Sequence, residues 1–134
     1  MKKAFALASL IALTVVITAG GAGAGTPAPL STPELRKVIG SGKKHTLVFF
    51  QNPMGGPCKA QKEIVQRLLK DRKNGFNVAN ISTMKAEDQQ AFYDYGVRNL
   101  PTIVLVDKKG AIANYFPPGI QSYETLAAGL DALK

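Results

Sequence analysis

The chain has 134 residues, with 17 basic against 9 acidic side chains for a formal charge of +8, one histidine and one cysteine. That length bounds it to one domain. The single cysteine excludes an internal disulfide, and one histidine with one cysteine leaves a structural zinc site without ligands. The basic residues are scattered, with no run longer than Lys43-Lys44 or Lys108-Lys109, and no aromatic platform interleaves them. They read as a solvated surface, and nucleic acid is not an expected partner.

Met1-Lys2-Lys3 gives a positive start, Ala4 to Ala19 carries no charge, and Ala22-Gly23-Ala24 is a small-x-small cleavage pattern. This predicts a secretory signal peptide over residues 1–24. The apolar run of about 16 residues falls short of the roughly 20 that span hydrocarbon, so a membrane is a partner only if the segment stays uncleaved. The expected location is periplasmic or secreted. Cleavage after Ala24 leaves about 110 residues, enough for one modest core. Without Lys2 and Lys3 the 17 basic residues fall to 15 against 9 acidic, a net charge near +6. Residues 25–33 are small, Pro-rich and uncharged, and read as a flexible tether ahead of a domain over 34–134.

Ser31-Thr32-Pro33-Glu34 starts a short helix, with Thr32 as N-cap before Pro33 or with Ser31 and Glu34 as a capping box. Gly40-Ser41-Gly42 stops it. Thr46 to Phe50 is an unbroken β-branched and aromatic run, which predicts a strand buried on both faces. A loop over Gln51 to Pro57 leads into the clearest helix, Cys58 to Lys73, whose stripe is Ala60, Ile64, Val65, Leu68 and Leu69. Asn74-Gly75 breaks that helix. Phe76 to Ile81 reads as a strand and Ala86 to Tyr95 as a weaker helix, with Glu87, Asp88 and Asp94 on its polar face. Thr102 to Val106 is another apolar strand, Asp107 to Gly110 a hairpin turn, and Ala111 to Phe116 the returning strand. Ser122 caps a last helix through Leu133. Strands alternating with helices and closing in a hairpin imply an α/β fold, a mixed central sheet with helices on both faces.

Three segments carry a resemblance. A buried strand runs into Gly56-Pro57-Cys58-Lys59; Tyr95-Gly96-Val97-Arg98-Asn99-Leu100-Pro101-Thr102 precedes a second buried strand about 43 residues later; and Val106-Asp107-Lys108-Lys109-Gly110 makes a hairpin. Together they resemble the thioredoxin family: the second half of its Cys-Gly-Pro-Cys-Lys motif, its Tyr-Gly-(Val/Ile)-Arg-x-(Ile/Leu)-Pro-Thr segment, and the hairpin before its last helix. The resemblance implies a thioredoxin-like fold, a cis bond before Pro101, and a loop at Leu100, Pro101 and Thr102 that presents backbone to an extended client peptide. Two departures stand out. Gly55 occupies the place of the family's nucleophilic cysteine, with Met54 where tryptophan is usual, and Phe49 occupies the place of its buried acid.

A dithiol exchange cycle needs an attacking thiolate and a resolving thiol. With Gly55, Gly56 and Pro57 as the motif loop and Cys58 as the one thiol, the chain cannot complete that cycle alone. Cys58 falls in the first turn of a long helix, where unpaired N–H groups favour an anion. The bare glycines are expected to open a path to its sulfur. The leading expectation is monothiol exchange at Cys58, with protein thiols or disulfides as partners and an external thiol donor for turnover. The other is a redox-inactive peptide-binding module of the cell envelope, with Cys58 as a small buried hydrophobe. A third is a small anion at the Gly55-Gly56 backbone. No cofactor or metal is expected, and His45, beside Lys43 and Lys44, reads as solvated.

Overall fold

A computed structural model describes residues 25–133. The signal-peptide reading of residues 1–24 lies outside them. Helix α1 (Pro33–Val38) is started by Thr32, whose hydroxyl accepts the Leu35 N–H at 3.1 Å. Strand β1 (Thr46–Gln51) is buried along its whole length. Helix α2 (Gly56–Asp71) follows, then β2 (Asn77–Ser82). A 3-10 turn over Ala86–Asp88 feeds α3 (Gln89–Asp94). Strands β3 (Thr102–Val106) and β4 (Ile112–Tyr115) form the hairpin, and Ser122 caps α4 (Tyr123–Asp131) by accepting the Thr125 N–H at 3.1 Å.

The sheet order is β2-β1-β3-β4. β1 runs parallel to β2 and antiparallel to β3, and β4 is antiparallel to β3. A strand with helices over both of its faces has no polar side, which is why β1 and β3 show no alternation. Val48, Phe50, Val104 and Val106 point to one face, under Leu35 and Ile39 from the α1 region and Ala91 and Tyr95 from the α3 region. Leu47, Phe49, Ile103 and Leu105 point to the other, under Val65 and Leu68 of α2 and Leu126 and Leu130 of α4. The α/β mixed sheet with helices on both faces is as the pattern implied.

Several local readings change. Residues 25–33 are not a tether. Pro27 bridges Ala111, the Ala28 N–H donates to the Gly110 C=O at 2.9 Å, and the Ile112 N–H donates to the Thr26 C=O at 2.8 Å. Small residues without charge suit a strand-like strip pressed on a hairpin as well as they suit a linker, and composition alone does not separate the two. On α2 the fully enclosed positions are Cys58, Gln61, Val65 and Leu68, while Ala60 is exposed. The stripe is rotated by one residue and takes in a polar side chain. Asp88 is buried at 4% exposure, not on a polar face, because its carboxylate accepts the Ser82 N–H at 2.9 Å just past the sheet. His45 is half-buried, with Nδ1 accepting the Lys108 N–H at 3.0 Å.

Candidate functional site

Two loops meet at the end of the sheet where β1 and β2 finish. The first is the turn from β1 into α2. Asn52 organises it: its Oδ1 accepts the Met54 N–H at 3.0 Å, and its C=O accepts the Gly55 N–H at 2.9 Å. Gly55 is the N-cap, with φ −80° and ψ 135°, an extended backbone that any residue adopts. Its C=O takes the Lys59 N–H at 3.0 Å. Pro57 costs the helix nothing, since the first N–H groups have no partner within it.

Cys58 is therefore the third residue of α2, with Sγ at the positive end of a 16-residue helix. The Asn52 N–H donates to Sγ at 3.4 Å. The residue is 3% exposed. The path expected from the two glycines is closed: Asn52 folds the turn back through two hydrogen bonds, and its own N–H sits against the buried sulfur. Gly56, by contrast, is exposed, and nothing lies within 4 Å of where its Cβ would be.

The second loop precedes β3. Thr102 lies opposite Phe50 in the ladder, so Pro101 sits at the same end of the sheet as the Cys58 turn. The Leu100–Pro101 peptide bond is cis. The Pro101 C=O accepts the Gly119 N–H at 2.9 Å, and the Thr102 hydroxyl donates to the Asn99 C=O at 2.6 Å. Within the described residues, Leu100 alone of the three has backbone N–H and C=O groups with no hydrogen-bond partner. A groove of about 390 Å³ flanks Thr102, lined also by Val97, Asn99, Tyr115 and Pro117. Burial raises the Tyr115 phenol there, which stays protonated and donates to the Tyr95 C=O at 3.1 Å.

Gln61 ties the two loops together. It is fully buried one turn beyond Cys58, its Nε2 donates to the Gln121 C=O at 3.1 Å and its Oε1 accepts the Gln121 N–H at 2.6 Å. The Gln121 segment also carries Gly119, which holds Pro101. Sequence reasoning missed Gln61. The only signal was its three-residue spacing from Cys58 on a helix whose next buried positions are 65 and 68. Phe49, 1% exposed among the α2 and α4 side chains, offers the thiol no proton acceptor from the central strand. Among the described residues no three His, Cys, Asp or Glu side chains come together as metal ligands.

Residues 32–134 match the family of thioredoxin-like domains. The chain belongs to that family. Among solved structures, thioredoxin from Fasciola hepatica shares 23% identity, covers 78% of this chain and 97% of its own, and superposes with a TM-score of 0.64. The germline-specific thioredoxin Deadhead from Drosophila melanogaster is 24% identical over 69% of this chain and 83% of its own, with a TM-score of 0.58. A malarial protein is 19% identical over 67% and 97%, with a TM-score of 0.59. At these identities the likeness is one of fold, and this member of the family keeps one cysteine at the turn.

Proposed function

We propose that this thioredoxin-like protein is exported and acts in thiol-disulfide exchange through Cys58 alone, with Leu100, Pro101 and Thr102 shaping the client groove. The observation that supports it is the Asn52 N–H aimed at Sγ from the first turn of α2. A donor and a positive helix end both stabilise a thiolate more than a thiol. In the step envisaged, Cys58 gives its proton to solvent and its thiolate attacks a partner disulfide. One S–S bond breaks as the mixed S–S bond forms, and the departing partner sulfur takes up a proton. A thiol supplied from outside then attacks the mixed disulfide and releases Cys58, because Gly55 provides no second sulfur. Burial restricts the step to a partner that displaces the 52–56 turn as it docks, and Leu100 offers that partner the free backbone groups for strand-like pairing.

The burial of Cys58 favours a second reading, a redox-inactive peptide-binding module that uses the Leu100 backbone without thiol chemistry. Alkylation of Cys58 in the folded protein and in urea decides between them. Modification in the folded state supports exchange. Modification only after unfolding overturns it and leaves the binding module.

A further inference from the structure

Lys43-Lys44 and Lys108, far apart in sequence, line one cavity. The Gly42 N–H donates to the Lys108 C=O at 3.0 Å, and the Lys108 N–H donates to His45 Nδ1 at 3.0 Å, so the loop before β1 and the β3–β4 turn are stitched together. Arg72, at the C-terminal end of α2, closes the other side. The result is a cavity of about 300 Å³ lined by Lys43, Lys44, His45, Arg72 and Lys108 around the floor of Phe76 and Leu130. Lys43 and Lys44 also wall a second hollow of about 300 Å³ with Lys37 and Ser41. This pole lies at the start of β1 and the end of α2, the opposite end of both elements from Cys58.

The charges here are poorly balanced. Arg72 is paired with Asp131 at 2.7 Å. Asp107 turns its Oδ1 inward, onto the Lys109 and Ala111 N–H groups. Within the described residues Lys43, Lys44 and Lys108 have no ion pair. Because His45 Nδ1 is an acceptor, its Nε2 carries the proton and is a donor. Burial first, and then the Lys108 charge, lower the His45 pKa, with Asp107 opposing, and both favour the neutral imidazole.

We propose that this cavity is a binding site for a phosphate group, held by Lys43, Lys44 and Lys108 with the His45 Nε2–H as a neutral donor. Three ammonium groups supply charge, and the imidazole supplies a directed hydrogen bond. The group is either free phosphate or the headgroup of an anionic lipid. In the second case Cys58 faces away from the membrane.

His45 is the only histidine in the chain, so its ring proton resonance reports the cavity alone. Sodium phosphate titrated into the protein at ionic strength fixed with chloride is expected to shift that resonance saturably and to raise the midpoint of its pH titration. The double variant Lys44→Gln/Lys108→Gln weakens the binding by at least about tenfold, as loss of two nearby charges requires. Lys62→Gln, on the exposed side of α2, leaves it unchanged. Sedimentation with phosphatidylglycerol and phosphatidylcholine vesicles separates the sources. Capture by phosphatidylglycerol alone, lost in the double variant, marks a lipid headgroup, and a phosphate shift without capture marks a free anion. No shift beyond that caused by chloride together with no vesicle capture overturns the proposal, as does binding that the double variant retains.

Discussion

A Cβ placed on Gly55 lies 3.7 Å from the sulfur of Cys58. The backbone at Gly55 is extended, so the position does not need glycine, and the nearest obstacle is the Asn52 C=O at 3.3 Å. Gly55→Cys is therefore expected to fold, with Asn52 giving way by a few tenths of an ångström. A turn of Cys58 about χ1 brings the sulfurs to the bonding distance of about 2.05 Å. Mild oxidation then removes both thiols, and the variant turns over a small disulfide with dithiothreitol as electron source. A thiol count of two after oxidation refutes the geometry.

Asn52 holds the turn beside Cys58 through its side chain as well as its backbone. Asn52→Ala removes the acceptor for the Met54 N–H. Loss of one such hydrogen bond, about 1 kcal/mol, raises the population of the opened turn about fivefold. The rate of Cys58 alkylation in the folded protein is expected to rise by that factor, with the rate in urea unchanged.

The buried amide of Gln61 makes both of its hydrogen bonds to one residue, Gln121. Gln61→Ala leaves a cavity and two backbone groups without partners, and is expected to cost about 2–3 kcal/mol, lowering Tm by about 10 °C. Urea unfolding measures the loss. An unchanged urea midpoint shows that the clamp contributes nothing.

His45 gives the fold a pH dependence of fixed sign. Its folded pKa is below the ordinary 6.5, chiefly through burial and then through Lys108. Below pH 6.5 the unfolded chain binds the proton more readily than the folded one. The contribution of His45 is thus complete above about 6.5 and is lost as pH falls through the folded pKa. Urea midpoints of the parent protein are expected to decline over that window, and those of His45→Gln to decline less.

The arrangement of strands and helices was legible because β1 and β3 are buried on both faces, and an unbroken run such as Leu47-Val48-Phe49-Phe50 suits few positions besides the middle of a covered sheet. The position of Cys58 was legible from Gly-Pro-Cys at a strand-to-helix junction. Its burial was one of two expectations, and the feature that separates them, Asn52 meeting the sulfur, is a contact six residues long with no pattern of its own. Asp88 and Gln61 were misread or missed for a related reason. Each is polar and buried because specific backbone groups face it, the N–H of Ser82 for Asp88 and the N–H and C=O of Gln121 for Gln61, and a hydropathy pattern records the side chain but not the partner. The meeting of Lys43-Lys44 with Lys108 is a matter of topology, invisible until the hairpin is laid beside the strand that precedes it.

The strip from Thr26 to Ala28 constrains both when this edge can form and which side chains it accepts. Its partners, Gly110 to Ile112, are made more than eighty residues later, so this first stretch of the domain to be synthesised stays unpaired until the hairpin has been made. A Cβ on Gly25 would run into the Ile112 carbonyl oxygen. A side chain at residue 25 therefore pushes the strip off the hairpin, and the edge accepts glycine alone at that point.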